Sequence, residues 1–560
     1  MNVRQDNIKK LTEDRFDLVI VGGGIFAACA AWDAVLRGLS VALIEKEDFC
    51  SGVSANSFKM IHGGIRYLQH GDIVRLRSSC HERSAMLRIA PHLVQPLPIL
   101  IPTYGYGKSG KFYLGAGMLL YDLLTLGRNR GIRDPKRHIP WSGFLNKEEV
   151  LQEYPDLEKE GLTGAALFSD GQMYNPTRLV LAFIKSAMGK GAQVANYVEA
   201  TGLIQEQSKV VAVNAVDKLS GQSLTIQAKT VLNAAGPWSE WFLSDTVRDN
   251  NAEKGVYSRD ACFVIKRRFK SHSAIAVQGR TKDPDALLSR PARHLFLVPW
   301  RDYTLVGVWH VVLTNHPEEV TVEKSEIETF IDEINWAYPG FDLKPGDVEI
   351  WNAGLVPFGE NEEGAENLSY GKRSHLIDHK QEDGVDGFVT LIGIRYTTAR
   401  GDAAKALDMV CSKLGVRTGR PATESIPVAG GDIENFDVLV QQLYQKQELS
   451  LSEDCVRALA HNYGTDAGSI IDMATQDRSL ANTVGNTRVL LAEVKYAVDY
   501  DMAYTLSDIV FRRTDLATGG NPGEGAIRTC AEQMATLLDW DERETQCQVD
   551  AVMKRFPSWT

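Results

Sequence analysis

The sequence predicts an α/β domain built on a parallel sheet, a second domain of antiparallel strands, and an all-α C-terminal domain. Three patterns lead to this prediction. An apolar run at residues 16–21 precedes three glycines and a segment of small residues, apolar and polar residues alternate between residues 261 and 313, and helical periods dominate after Pro421. The first pattern is typical of a βαβ unit, the second of an antiparallel sheet and the third of packed helices.

The N-terminal unit reads as a buried strand, a helix that ends near Arg37, and a second strand that ends at Glu45. Continuously apolar strands are expected when both faces of a parallel sheet are covered. Two further apolar runs, at residues 230–236 and 387–393, are expected to return to the same sheet. In the C-terminal region, an amphipathic stretch over residues 488–512 predicts a long helix.

The glycines after the first strand form a nucleotide-binding pattern. Gly22-Gly23-Gly24-Ile25-Phe26-Ala27 matches G-x-G-x-x-A, in which glycines permit a tight turn and let the backbone approach a pyrophosphate at the helix N-terminus. A carboxylate about 20 residues further on, here Glu45, can accept hydrogen bonds from ribose hydroxyls. We therefore predict a Rossmann-type nucleotide site, and the unit alone does not decide between NAD and FAD. The predicted contacts are Gly22, Gly24, Ile25, Phe26, Glu45 and Lys46.

Composition and spacing argue against several classes of protein. The chain has 560 residues and a formal net charge of -11, which disfavours a nucleic-acid partner. Its eight cysteines are scattered singly, without the spacing of a zinc ribbon. His375 and His379 have the spacing of helical metal ligands, but their surroundings read as strand or loop, so we expect no metal site.

The N-terminal sequence MNVRQDNIKKLTEDRFD has no apolar core like that of a secretion signal, which predicts a cytoplasmic protein. The longest apolar stretch, residues 112–126, is shorter than the about 20 residues that span a bilayer. It fits a core helix, which we favour, or an amphipathic helix on the inner face of the cytoplasmic membrane.

Residues 50–69, CSGVSANSFKMIHGGIRYLQ, form a glycine- and serine-rich segment that ends in a basic and aromatic pair. This segment resembles the corresponding segment of FAD-dependent, aerobic-type glycerol-3-phosphate dehydrogenases, where it runs beneath the flavin. The resemblance covers essentially the whole chain. Its further motifs are Glu82-Arg83, Ala90-Pro91-His92-Leu93, Tyr121-Asp122, Asn233-Ala234-Ala235-Gly236-Pro237-Trp238, Pro299-Trp300, Arg373-Ser374-His375, Thr397-Thr398-Ala399-Arg400, Ala492-Glu493-Val494-Lys495-Tyr496 and Arg512-Arg513-Thr514.

The resemblance implies an oxidoreductase region over residues 1–425 and a helical domain over residues 430–560. The FAD-binding parts would be about 15–75, 165–245 and 385–412, and the substrate lid about 76–164 and 255–384.

The resemblance also implies a non-covalently bound FAD. Glu45 would bind the ribose, Ser54 and Ser57 would lie near the pyrophosphate and isoalloxazine, and Gly393 would face the ring at a helix start. The serines also fit a hydrogen-bonded loop that never contacts cofactor. Further cofactor contacts implied by the resemblance are Lys59, His62, Gly63, Gly64, Ala235, Gly236 and Thr397.

The implied reaction is oxidation of sn-glycerol 3-phosphate to dihydroxyacetone phosphate by hydride transfer to flavin N5, with electrons passed to quinone. Arg66, Arg373 and Arg395 match the family's substrate-pocket motifs, together with Tyr67 and Thr398. Arginine forks suit phosphate or carboxylate oxygens, although each arginine also fits a structural ion pair.

Several pocket motifs depart from the family pattern. Residues 259–262 replace a glycine-bearing turn and its histidine, so a base is missing there. Trp309 and His310 stand where the family has small hydroxyl residues and an aspartate, and we predict His310 as the substitute base. Val356 replaces an arginine, and Ile394-Arg395 replaces a glycine-lysine pair.

These departures leave three functions open. The first is the family reaction, and the second is oxidation of another anionic polyol, hydroxy acid or amino acid by a related flavoprotein oxidase or dehydrogenase. The third is flavin binding without turnover. The expected partners are a small anionic substrate and a quinone or other electron acceptor, and the sequence leaves a homodimer open.

Overall fold

The computed structural model describes residues 3–69, 71–105, 111–247, 257–280, 294–313, 320–357 and 374–557. The strands are β1 (Arg15–Val21), β2 (Val41–Ile44), β3 (Met60–Ile61), β4 (Val94–Tyr104), β5 (Gly143–Leu145), β6 (Leu162–Met173), β7 (Gln193–Ala195), β8 (Val198–Glu206), β9 (Lys209–Asp217), β10 (Ser223–Asn233), β11 (Tyr257–Ile265), β12 (Ala274–Gln278), β13 (His294–Trp300), β14 (Tyr303–Leu313), β15 (Val348–Pro357), β16 (His375–Asp378) and β17 (Phe388–Ile392).

The helices are α1 (Val3–Glu13), α2 (Ile25–Leu36), α3 (Arg66–Gln69), α4 (Ile73–Ile89), α5 (Lys111–Leu124), α6 (Lys147–Glu153), α7 (Pro176–Met188), α8 (Ser239–Thr246), α9 (Lys324–Ala337), α10 (His379–Glu382), α11 (Ala399–Leu414), α12 (Phe436–Lys446), α13 (Glu453–Tyr463), α14 (Ala467–Gln476), α15 (Leu491–Tyr500), α16 (Leu506–Asp508), α17 (Glu524–Leu538) and α18 (Glu542–Met553). Among the residues described, no helix has the length and hydropathy to cross a bilayer.

The first sheet has the order β16-β17-β10-β1-β2-β7, and β8 and β9 extend it from β10. β17, β10, β1, β2 and β7 are parallel to one another. The predicted return of the runs at 230–236 and 387–393 is thereby confirmed, since β10 pairs with β1 and β17 pairs with β10. The small side chains of α2, such as Ala27 and Ala31, are buried beside α7 and α11, and this packing covers the sheet with helices.

The second sheet has the order β15-β11-β14-β13-β12-β4-β6-β3, with β5 beside β6. All of its pairs are antiparallel except β12 with β4, so the predicted antiparallel sheet is confirmed. β3 and β6 belong to this sheet although they lie in stretches that the sequence suggested for FAD binding. Helix α9 covers one face through Phe330, whose ring packs edge-on against Phe263.

The C-terminal domain contains α12 to α18, as the sequence predicted. The single long helix expected over residues 488–512 is wrong, because α15 ends at Tyr500 and a separate turn of helix, α16, leads into a π-helical turn over Ile509–Arg513. The helical conformation is interrupted at Met502, which has a φ of 54°. Asp501, at the break, is buried and accepts a hydrogen bond from Arg178 of α7 at 2.5 Å, so the break docks the domain onto the first sheet's helices.

Candidate functional site

A cavity of about 1520 Å³ lies where the two sheets meet. Residues at the carboxyl ends of β1, β2, β10 and β17 line one side, and residues of β11, β14 and β15 line the other. In open parallel sheets this edge is where ligands bind. The C-terminal domain also contributes to the wall, which the sequence did not predict.

The glycine turn forms a close-fitting backbone cradle. Gly22 has a φ of +114°, and a Cβ there would lie 2.7 Å from the carbonyl oxygen of Ala234. α2 begins immediately after Gly24, whose position offers no side-chain cap, and the Ile25 amide donates to the Ser54 hydroxyl at 3.0 Å. Amides left at a helix N-terminus attract anions. The turn therefore fits a pyrophosphate, and Gly22, Gly24, Ile25, Phe26 and Ser54 all line the cavity.

Glu45 lies at the carboxyl end of β2 and faces the same cavity. Its carboxylate accepts hydrogen bonds from the amides of Gly23 at 2.6 Å and of Glu47 at 2.9 Å. Burial raises the pKa of the Glu45 carboxyl to about 7. Lys46 lines the cavity beside it, with its ammonium 5.7 Å from the ring centroid of Trp238. A carboxylate next to an aromatic wall suits a ribose that carries a flat base.

The segment at residues 50–64 supplies a second group of cavity residues. Two residues of this segment that were predicted to contact the cofactor do not line the cavity. Ser57, His62 and Gly64 line the cavity, whereas Lys59 and Gly63 are not among its lining residues. Lys59 is buried with its ammonium 5.2 Å from the Trp300 ring centroid, and burial lowers its pKa. The Gly63 amide donates to Asp170 at 2.6 Å.

In this structure Lys59 and Gly63 therefore anchor the loop at residues 50–64 to its neighbours without lining the cavity. Gly63 must be small, since a Cβ there would lie 2.6 Å from the Arg83 guanidinium and from the Tyr121 hydroxyl. Asp170 also accepts a hydrogen bond from Arg83 at 2.6 Å, and Asp170 itself lines the cavity. The Glu82-Arg83 and Tyr121-Asp122 motifs thus include residues that brace the cavity loop.

The remaining predicted cofactor residues lie on the β10 and β17 side. Ala235, Gly236, Gly393 and Thr397 line the cavity, and the Thr397 hydroxyl accepts from the His62 amide at 3.2 Å. Gly393 is not at a helix start, because it follows β17 directly and the 3-10 turn that leads into α11 begins only at Tyr396. A Cβ at Gly393 would lie 2.0 Å from the Phe26 ring. The glycine is needed for packing against α2.

On the opposite wall, His310 of β14 lines the cavity. Its register partner on β11 is Asp260, which also lines the cavity and accepts a hydrogen bond from the Ser258 hydroxyl at 2.8 Å. The expectation that Trp309 is near the pocket is wrong. Successive strand residues point to opposite faces, and the Trp309 ring packs against Phe330 at 4.7 Å on the far side of the sheet.

Arg395 and Tyr67 lie together in the cavity wall. The Arg395 guanidinium donates to the Tyr67 hydroxyl at 3.0 Å and to the Ser79 hydroxyl at 3.2 Å. Among the described residues, no carboxylate lies within ion-pairing distance of Arg395. Arg75 adds a second cation at the cavity, 4.9 Å from the Tyr67 ring centroid and paired with Asp72. This wall is positive and faces open space.

Three other predicted substrate residues are not brought to the wall. The Thr398 hydroxyl donates to Asp402 at 2.9 Å, and Thr398 does not line the cavity. The side chain of Arg66 and the whole of Arg373 lie outside the described residues. Val356, which stands where the family resemblance predicts an arginine, lines the cavity on β15.

Asp260, Arg75 and the tryptophans Trp238 and Trp241 also line the cavity, although none of them was predicted from the sequence. Asp260 lies within the departure at 259–262 and was noted there only as a replaced residue. Pairing strands by their alternating pattern would have placed it next to β14. No sequence pattern marks Arg75 as a cavity residue, since its position depends on how α4 packs.

Comparison with known proteins defines the class first. Residues 17–394 match the sequence model of the FAD dependent oxidoreductase family, and residues 421–545 match that of the C-terminal domain of alpha-glycerophosphate oxidase. Glycerol-3-phosphate dehydrogenase of Synechocystis sp. is 30% identical over 97% of this chain and 96% of its own length. The aerobic glycerol-3-phosphate dehydrogenase of Staphylococcus aureus is 30% identical over 91% of this chain and 89% of its own.

The solved structure of glycerol-3-phosphate dehydrogenase from Bacillus halodurans, complexed with FAD, has the same fold. It superposes with a TM-score of 0.75 at 24% identity, over 99% of this chain and 97% of that one. The chain belongs to the glycerol-3-phosphate dehydrogenase family of FAD-dependent oxidoreductases. Its cofactor is FAD, and the cradle at Gly22, the carboxylate of Glu45 and the flat wall at Trp238 fit that cofactor's pyrophosphate, ribose and base.

Proposed function

We propose that this protein oxidises sn-glycerol 3-phosphate to dihydroxyacetone phosphate and passes the electrons to a quinone. The observation that carries the proposal is the presence in one cavity of three elements: the nucleotide cradle, an uncompensated cation at Arg395, and the imidazole of His310. A hydride acceptor, an anion receptor and a proton acceptor are the three things that oxidation of a phosphorylated secondary alcohol requires.

FAD, when bound, supplies the hydride acceptor at N5 of its isoalloxazine ring. The chain's own residues do the rest. His310 accepts the proton of the substrate hydroxyl, and Asp260 opposite it holds the imidazole in place and stabilises the imidazolium. The substrate proton is thus handled by two side chains whose positions are set by neighbouring strands.

Arg395 binds the substrate phosphate. Its guanidinium has hydroxyl partners rather than carboxylates among the described residues, so its charge is not neutralised before an anion enters. Tyr67 and Ser79 hold the fork in position, and Arg75 adds positive potential at the same wall. Arg66 and Arg373 remain predicted contributors to this anion site.

The direct test is anaerobic mixing of the FAD-loaded protein with glycerol 3-phosphate while the flavin absorption band is followed. Bleaching of the band is the expected result, and glycerol, which has the same hydroxyls without the phosphate, is the matched control and should bleach it far more slowly. A spectrum unchanged by glycerol 3-phosphate would contradict the proposal. Reduction by a different anionic polyol, hydroxy acid or amino acid would then identify the altered substrate.

We further propose that the protein docks on the inner face of the cytoplasmic membrane, where quinone is available. Residues 112–126, which the sequence favoured as a core helix, expose an apolar face in this structure: Leu119 is 59% exposed, and Leu120, Leu123 and Leu126 are also exposed. Ile73 and Val74 expose further apolar surface at the start of α4. Exposed apolar side chains clustered along one helix are typical of an interaction site.

The position and the flanking charge of this face favour a lipid surface. Asp72 and Arg75, next to the exposed Ile73 and Val74, line the cavity, so its mouth opens beside the apolar face. Arg77 on α4 and Arg130, four residues after Leu126, are both exposed, and neither has an ion pair among the residues that the structure describes. Unpaired arginines next to exposed leucines suit the anionic headgroups and acyl chains of a bilayer.

Vesicle binding tests this part of the proposal separately. Changing Leu119→Ser and Leu123→Ser together should weaken sedimentation with vesicles that contain phosphatidylglycerol by at least about tenfold. Reduction of a soluble dye by glycerol 3-phosphate should be retained. Val438→Ser is the matched control, because Val438 is a 47% exposed apolar residue on α12 of the C-terminal domain. Equal vesicle binding by all three proteins would exclude this face as the docking surface.

A further inference from the structure

One end of the cavity is formed by the C-terminal helical domain. The lining residues from this domain are Thr505, Ser507, Arg512, Gln548, Ala551 and Arg555. They come from α16, the π-helical turn, α18 and the residues that follow it. A helical domain that is more than 400 residues from the glycine turn along the chain therefore shares a cavity with it.

Buried ion pairs fix this wall to the loop that follows Glu45. Asp48 accepts hydrogen bonds from Arg512 at 2.5 Å and from Arg513 at 2.6 Å. All three side chains are buried, so their geometry is held by desolvated charge pairs. Because Asp48 is three residues after Glu45, the C-terminal wall stands close to the ribose carboxylate.

Tyr197 makes a second link at the same place. Its hydroxyl donates to Asp508 at 2.7 Å, and its amide donates to the carbonyl of Glu47 at 2.9 Å. One residue thus connects the C-terminal domain and the segment after Glu45. A base attached to a ribose on Glu45 would extend towards this junction, since the pyrophosphate occupies the opposite side at Gly22.

Two side-chain donors at this wall have no hydrogen-bond acceptor among the residues that the structure describes. The Arg555 guanidinium lies 5.0 Å from the Phe511 ring centroid, and among the described residues no carboxylate is within ion-pairing distance of it. The Arg555 side chain is exposed at this end of the cavity. The Ser507 hydroxyl has no hydrogen-bond partner in the part of the chain that the structure describes. By contrast, Gln548 is held on both sides, by Leu506 and Glu544.

We propose that the C-terminal domain forms one wall of the FAD site, with Arg555 and Ser507 contacting the adenine ring. A guanidinium plane stacks on aromatic faces and donates hydrogen bonds in a fixed fork, and the adenine ring offers both a flat face and ring-nitrogen acceptors. A hydroxyl adds a donor in the plane of the base. The C-terminal helices then serve cofactor retention as well as the architecture of the chain.

The experiment distinguishes protein contacts with the adenosine part of FAD from contacts with its flavin part. Holoenzyme is diluted and FAD release is followed by flavin fluorescence, for the wild type, Arg555→Gln and Ser507→Ala. The control is Arg528→Gln, which removes the same charge from α17 outside the cavity. Binding of flavin mononucleotide, which lacks adenosine, is measured on the full-length chain stripped of FAD, and melting temperatures of the stripped proteins report folding.

The expected result is FAD release about tenfold faster in Arg555→Gln, as for loss of a charged contact, with unchanged affinity for flavin mononucleotide and an unchanged control. If Arg555→Gln lowers the melting temperature, Ser507→Ala carries the same expectation. FAD release at the wild-type rate in both variants would overturn the proposal. Equal weakening of FAD and flavin mononucleotide would also overturn it, because the effect would then not come from the adenine.

Discussion

Asp260 on β11 lies directly opposite His310 on β14, and both residues line the cavity. Residues paired in this way on antiparallel strands share one face, with their Cβ atoms about 4.5–5.5 Å apart. The pairing resembles the arrangement in which a carboxylate orients an imidazole base and stabilises its protonated form. The pairing bears on the departure at residues 259–262: this segment lacks the histidine that the family resemblance predicts, but it places Asp260 opposite His310 of the neighbouring strand.

His310→Asn is expected to slow flavin reduction by glycerol 3-phosphate by about a hundredfold to ten-thousandfold, the usual contribution of a general base. Anaerobic rapid-mixing spectroscopy measures this rate, with FAD content checked beforehand. Asp260→Asn should slow it less, by about tenfold, because the base remains in place. Trp309→Phe is the matched control, since Trp309 packs against Phe330 away from the cavity. A near-normal rate in His310→Asn would remove this residue from the mechanism.

Arg395→Gln is expected to raise the KM for glycerol 3-phosphate by about tenfold to more than a hundredfold, equivalent to about 1.5–3 kcal/mol for a charged hydrogen-bonded contact. Arg395→Lys should fall between this variant and the wild type, because it keeps the charge but loses the planar fork. Steady-state kinetics with an artificial dye as acceptor provide the measurement. The slow oxidation of unphosphorylated glycerol should be nearly the same in all three proteins. A KM unchanged in Arg395→Gln would place the phosphate elsewhere.

The sequence predicted the cradle well because its signals are local. The spacing between Gly22 and Glu45 requires only one helix and one strand, and these elements follow β1 directly in the chain. The order of the elements and the return of two later strands to the first sheet were also readable from apolar runs. Such features depend on neighbours in sequence or on continuous burial, and both leave a pattern.

The opposite wall was less predictable because strand pairing decides which side chains enter the cavity. The register between β11 and β14 shifts between Ala261 and Cys262, and a shift of one residue exchanges the two faces of a strand. Neighbouring residues of a strand also face opposite sides of the sheet, so His310 lines the cavity but Trp309 does not. Arg555 had no signal at all, since its contact with the cavity depends on the docking of a domain through Asp48 and Asp501, far from it in sequence.

Cofactor affinity should depend on pH through Glu45. Burial raises the pKa of this carboxyl to about 7, and the ribose hydroxyls donate to its charged form. Below about pH 7 the carboxyl must lose its proton for FAD to bind, so affinity should fall with decreasing pH by at most about tenfold per pH unit. Titration of the stripped chain with FAD on both sides of this pH measures the slope. Glu45→Gln should bind FAD more weakly at high pH and show no such slope; a slope kept in this variant would assign it to another group.

Asp48→Asn is expected to destabilise the protein by about 3–5 kcal/mol, because it leaves Arg512 and Arg513 buried without their shared carboxylate. Burial alone would raise the pKa of Asp48, but Arg513 and Arg512 overcome this and hold it at about 2, below its ordinary 3.8. A carboxyl with a lowered folded-state pKa stabilises the fold above its unfolded pKa. This stabilisation should therefore be lost as the pH falls from 3.8 to about 2.

The measurement for Asp48 is denaturant unfolding of the stripped chain, so that loss of FAD does not contribute. Asp437→Asn is the matched control. The pKa of Asp437 is also lowered to about 2, by hydrogen bonds from Lys136 and Arg457, but the Lys136 side chain is exposed and those of Asp437 and Arg457 are partly exposed. Solvent screening limits such a pair to about 1 kcal/mol or less. If both variants unfold at the same denaturant concentration as the wild type, the buried pairs at Asp48 do not hold the C-terminal domain against the nucleotide loop.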